Sequence, residues 1–135
     1  MSDPKIDAAR ARLENLWASG KEFLGTDYAI MAGAMSWVSE RHLVSAVSNA
    51  GGFGVIACGS MTPDLLSAEI AGTKALTKKP FGVNLTILGE KRGTPEFPHE
   101  FAGVITRNNI KIVETCGASI PLMQELHKIL REGGV

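Results

Sequence analysis

The feature that most constrains this chain is a fourfold alternation of short apolar runs with segments of helical periodicity. The runs are Tyr28-Ala29-Ile30-Met31, Gly54-Val55-Ile56-Ala57, Phe81 to Leu88 and Ile110 to Thr115. Each has strand length and is bounded by turn or breaker residues. The helical segments follow them in turn. Ser39 to Ala50 is capped by Ser39, carries Leu43, Val44 and Val47 on one face, and stops at Gly51-Gly52. Thr62-Pro63-Asp64 is a cap followed by a first-turn proline. It opens a helix whose Leu65, Leu66, Ile70 and Leu76 share one arc, and Lys78-Lys79-Pro80 ends it. A polar loop from Gly89 to Pro98 leads to a helix through Phe101, Val104 and Ile105. Pro121 to Glu132 forms the last, with Leu122, Leu126, Ile129 and Leu130 inward and Gly133-Gly134 as its cap. Strands that are apolar on both faces and alternate with helices predict an α/β fold: a parallel sheet with short right-handed crossovers.

Residues 1–24 precede this repeat as an amphipathic helix. Asp3 caps it, Pro4 takes the first helical position, and Ile6, Ala9, Leu13, Leu16 and Trp17 recur at spacings of three and four. Gly20 is the expected stop. Residues 25–135 then hold the four βα units, and 135 residues suffice for one domain.

Fourteen basic residues balance fourteen acidic ones, which excludes a polybasic nucleic-acid binder. No apolar run approaches the roughly 18 residues of a membrane span. Met1 to Arg12 has no apolar signal-peptide core, so the expected location is the cytoplasm, with Cys58 and Cys116 as reduced thiols.

Pattern alone leaves two architectures open. Four βα units can close as a doubly wound domain, or they can be half of an eight-stranded barrel. Gly133-Gly134-Val135 resembles a loop feeding a fifth strand, and a half-barrel leaves two open sheet edges.

In either architecture, chemistry gathers at the carboxyl ends of the strands. Gly52-Phe53-Gly54-Val55-Ile56-Ala57 fits a dinucleotide fingerprint in letters, yet it follows a helix and enters a strand, so it reads as a plain turn. Four strand-end loops remain. Ala32-Gly33-Ala34-Met35-Ser36-Trp37 is rich in small residues, which let backbone amides approach a flat ligand. Cys58-Gly59-Ser60-Met61 reads as turn chemistry before a capped helix. Asn84, inside an apolar strand, needs a partner for an amide that both donates and accepts, a match for the edge of a heterocycle. Glu114-Thr115-Cys116-Gly117 offers a carboxylate that can bind a polar ligand or serve as a paired structural acid. His42, His99 and His127 read as surface residues, and no His, Cys, Asp or Glu set has metal-ligand spacing.

Four stretches, in order, carry a resemblance to a known family. They are Ile30 to Ser39, Ala46 to Gly54, Pro80 to Thr86 and Ile110 to Thr115. Together they resemble the nitronate monooxygenase family, formerly the 2-nitropropane dioxygenases, from about Gly25 to the C-terminus. FMN-dependent enoyl reductases and NADH:quinone reductases share the same motifs. The resemblance implies the N-terminal half of a TIM (β/α)8 barrel, strands 1–4 of 8, with FMN at its carboxyl face. It places the backbone of Ala34, Met35 and Ser36 against the flavin and assigns hydrogen bonds to Asn84 and Thr86. It also implies oxidation of nitronates or nitroalkanes with dioxygen, by a base histidine in a glycine-rich loop beyond the fifth strand. This chain has no match for that histidine. The expectation is therefore a truncated form, inactive alone, that needs a complementary C-terminal half or self-association. The alternatives are an enoyl or quinone reductase of the same barrel, and a non-enzymatic α/β interaction module.

Overall fold

The computed structural model describes residues 3–87, 97–117 and 119–135. Helix α1 (Pro4–Leu24) leads into β1 (Met31–Ala32), α2 (Arg41–Asn49) and β2 (Phe53–Ala57). A single 3-10 turn (Cys58–Ser60) follows, then α3 (Pro63–Leu76), β3 (Phe81–Ile87), α4 (Phe97–Arg107), β4 (Val113–Gly117) and α5 (Ile120–Glu132). The strands form one sheet in the order β1-β2-β3-β4, and every neighbouring pair is parallel. Sequential, all-parallel order is that of one half of a (β/α)8 barrel, not of a doubly wound sheet, whose strand order reverses.

The register fixes which residues share a face. Gly82 pairs with Val55, Asn84 with both Ala57 and Glu114, and Thr86 with Cys116. Val83 and Leu85 alternate with them, on the side covered by helices. That side holds the main core, in which Ile56, Val83 and Leu85 meet Val44, Leu66, Ile70, Ile105 and Leu126. The other side is the concave interior. Its lower end is closed by Leu24, Phe53 and Val55, with Ala34 and Ile112 packed against them.

Several boundaries depart from the sequence expectation. Gly20 does not stop α1; the helix runs to Leu24 and ends on Gly25, whose φ of 67° is a left-handed cap. A Cβ at Gly20 would stand 2.8 Å from that of Ala29, so this glycine serves close packing of the returning chain. The apolar stripe of α1 is largely uncovered, with Leu16 at 70% and Phe23 at 72% exposure and Leu24 its buried residue. Strand β1 is Met31–Ala32 rather than Tyr28 to Met31. Strand β4 begins at Val113 rather than Ile110, because Ile110 is spent closing α4: its N–H reaches the Ile105 carbonyl at 3.2 Å. Helix α4 starts at Phe97, inside the expected loop; Leu88 and positions 89–96 lie outside the described residues. On α3, Leu65 and Leu76 are exposed at 40% and 45%, while Glu69 and Thr73 take the inward places beside Leu66 and Ile70.

Glu69 is inward because it holds α2 to α3. Its carboxylate accepts from Arg41 Nη2 at 2.6 Å, from Nε at 3.1 Å and from the Arg41 backbone N–H at 2.9 Å. Hydrogen bonding from the guanidinium pulls the Glu69 carboxyl below its ordinary value against the opposing effect of burial, and the pairing raises Arg41.

Candidate functional site

The loop after β1 is fixed by one buried hydroxyl. Ser39 Oγ accepts from Met35 N–H at 3.0 Å and donates to the Gly33 carbonyl at 3.4 Å. The Met35 carbonyl takes the N–H groups of Val38 at 3.1 Å and Ser39 at 2.9 Å. Ser39 is therefore not the cap of α2; Glu40 is, accepting from His42 N–H at 3.1 Å and Leu43 N–H at 3.2 Å. This clamp turns the chain sharply enough that Trp37 adopts a φ of 65°. It also engages the Met35 N–H, which the resemblance placed against the ligand. No backbone hydrogen bond among the described residues occupies the N–H of Ala34 or Ser36.

The second wall is the upper end of β3. Asn84 is buried at 4% exposure. Its Oδ1 accepts from Thr86 Oγ1, and among the described residues its Nδ2 has only a long contact, 3.9 Å, with Cys116 Sγ. Thr86 Oγ1 also lies 3.2 Å from Cys116 Sγ. The Asn84 amide is thus oriented by Thr86, with its donor side poorly matched.

Gly59, in the turn after β2, joins the two walls. A Cβ there would meet Thr86 Cβ at 3.5 Å and Ser36 Oγ at 3.8 Å. Ser36 and Thr86, contributed by the loop after β1 and the end of β3, therefore both border the Gly59 position. Sequence reasoning read Gly59 as ordinary turn chemistry. What could have marked it is its place between two small strand-end motifs, each with a hydroxyl.

Of the residues expected at the site, Ser36, Thr86 and Asn84 come together. Ala34 sits one tier lower, in the apolar floor of the interior. Met35 is exposed at 48%, with its backbone committed to the clamp. The histidines stay away from this point. His42 is exposed on α2, His99 Nε2 pairs with Glu125 at 3.0 Å, and His127 Nε2 meets Thr115 Oγ1 at 2.9 Å on the helix-covered side. Cys58 is buried and Cys116 exposed. Among the described residues no group of His, Cys, Asp and Glu could hold a metal. A recess of about 370 Å³ lies beside β4 between Phe23, Val113, Leu130 and Val135, apart from Ser36, Asn84 and Thr86. No helix among the described residues is long and apolar enough to cross a membrane.

Polar groups at the carboxyl ends of parallel barrel strands define the usual place for a small-molecule site on this class of fold. The nitronate monooxygenase family model matches residues 18–133, and the chain belongs to that family. It is 32% identical over 114 residues to the "(3aS,4S,5R,7aS)-5-hydroxy-7a-methyl-1-oxo-octahydro-1H-indene-4-carboxyl-CoA dehydrogenase" of Rhodococcus jostii, covering 84% of this chain and 30% of that protein. It is 44% identical over 62 residues to a nitronate monooxygenase of Paraburkholderia phytofirmans, covering 46% of this chain and 17% of the relative. Among solved structures it resembles FabK from Thermotoga maritima, with a TM-score of 0.74 and 30% identity, over 87% of this chain and 35% of that one. The matched stretch thus spans at most 30% of the length of these two curated relatives.

Proposed function

We propose that this chain supplies one wall of an FMN site in an oxidoreductase of the nitronate monooxygenase type. The observation that carries the reading is the convergence of Ser36 and Thr86 on Gly59, 3.8 Å and 3.5 Å from the place a Cβ would fill. The donor set suits a flat heterocycle with a polar edge. Ala34 and Ser36 offer backbone N–H groups and Asn84 an amide donor, and Gly59 adds no side chain of its own beside Ser36 and Thr86. When bound, the flavin would supply the electron transfer that the side chains here cannot.

The chain's own residues bind and orient. Ser39 holds the loop after β1 so that Ala34 and Ser36 present their amides, and Thr86 fixes the Asn84 amide. A general base must reach its proton within about 3 Å. His42, His99 and His127 all lie elsewhere, so proton abstraction from a nitroalkane falls to groups outside these residues. The substrate class we assign is nitronates or nitroalkanes. We also propose that the free edges of β1 and β4 seek a partner, either a complementary half or a second copy of this chain.

A second reading is favoured by similarity to the R. jostii dehydrogenase and to FabK: a reductase drawing hydride from NADH. One experiment separates them. The chain is loaded with FMN, then assayed for oxygen uptake with propyl nitronate and for NADH oxidation with a quinone or enoyl thioester. Oxygen uptake with the nitronate supports the first reading, and NADH oxidation alone the second. Failure to take up FMN removes both in favour of a non-enzymatic module.

A further inference from the structure

Glu114 stands beside the contacts assigned above, and its surroundings give it a more specific part. In the β3–β4 register it stands beside Asn84, one tier below the Thr86–Cys116 pair and on the same concave face. Its Oε2 is closed off from solvent with no hydrogen-bond partner among the described residues, although the residue as a whole is only partly buried. An acceptor in that state weakens the ligand-free fold, and a charged one gains more from a new donor than a solvated carboxylate does. Next to it, among the described residues, Asn84 Nδ2 has only the 3.9 Å contact with Cys116 Sγ. The tier therefore offers one under-used donor and one unused acceptor side by side.

A ring edge that alternates carbonyl and N–H complements such a pair, and the pyrimidine portion of a flavin carries an imide edge of this kind. We propose that the Glu114 carboxylate accepts the imide N–H of the bound flavin while Asn84 Nδ2 donates to the adjacent ring carbonyl. This rests on the FMN reading and adds a selection rule to it. An ionised carboxylate only accepts, so the site favours a ring bearing N–H at that position over one whose nitrogen is blocked.

The test is a binding cycle between residue and ligand, read by flavin fluorescence without turnover. FMN and N3-methyl FMN are titrated into the wild-type chain and into Glu114→Val, whose β-branched side chain suits a strand. Glu114→Ala serves where valine crowds the sheet. In the wild type, methylation should weaken binding roughly tenfold or more, the scale of a hydrogen bond to a charged group. In the variants the two ligands should bind about equally. The same discrimination with and without the carboxylate overturns the role of Glu114 and leaves the FMN reading standing. A wild-type chain that binds neither ligand overturns both.

Discussion

Replacing Gly59 with alanine should separate folding from ligand binding. The added methyl would sit 3.5 Å from Thr86 Cβ and 3.8 Å from Ser36 Oγ, ordinary contact distances, so nothing in the protein must move. Gly59 lies in the turn Cys58–Ser60 without a left-handed backbone. Alanine there restricts the unfolded chain and should stabilise the fold by about 0.4–1 kcal/mol, visible as a rise of a few degrees in Tm. The same methyl occupies the point bordered by the Ser36 hydroxyl and by Cβ and Cγ2 of Thr86. If a flavin ring uses that space, the site must either displace the ring or spread, at a cost of roughly 1–3 kcal/mol, the range for overfilling a packed site. FMN affinity should therefore fall about tenfold or more while the melting point holds or rises. Differential scanning fluorimetry and flavin titration on the same preparation read both quantities. An alanine variant that binds FMN as tightly as the wild type would refute the claim that Ser36 and Thr86 border one ligand cavity.

Three further outcomes follow from the same geometry. The Glu69 carboxyl is held below its ordinary value of 4.5 by Arg41, so its contribution to stability is complete above that value and is lost as pH falls through the lower folded-state value; urea melts of Glu69→Gln should lack this acid-side loss, and identical pH profiles would contradict the pairing. Ser39→Ala leaves the Met35 N–H without its acceptor and should cost about 1–2 kcal/mol, with FMN binding weakened in parallel; an unchanged denaturation midpoint would remove the clamp from the account. The free sheet edges should give concentration-dependent association in sedimentation, reduced by Met31→Lys on β1, and a strict monomer at high concentration would contradict an exposed pairing edge.

Much of this fold is written in local patterns, and the exceptions have physical causes. Phe53–Ala57 and the middle of β3, Gly82–Leu85, are buried on both faces, so their apolar runs announce them. The run from Ile110 suggests a strand start three residues before Val113, because the apolar Ile110 in fact closes α4. At the carboxyl end of a barrel strand, Glu114 and Cys116 remain in the ladder opposite Asn84 and Thr86, since that end serves a ligand rather than the core. Gly20 and Leu16 misled in opposite ways. The glycine is helical because Ala29 packs against it, and the leucine follows helical spacing without a partner among the described residues. Ser39 and Glu40 both have cap chemistry, and only the fold decides which one bonds the helix N-terminus and which one turns back to the loop. At the site, Asn84 stood out as a polar residue in an apolar strand. Gly59 is marked only by its place between two strand-end motifs with hydroxyls, because Ser36 and Thr86 are each more than twenty residues away in the chain.

The most direct measurement of the central claim is amide hydrogen exchange, residue by residue, with and without saturating FMN. Exchange should slow at Ala34 to Ser36 and at Cys58 to Ser60, while the exposed turns of α1 and α5 stay unchanged. Slowing confined to the recess beside β4, or no slowing at either segment, would contradict a flavin wall built from the ends of β1, β2 and β3.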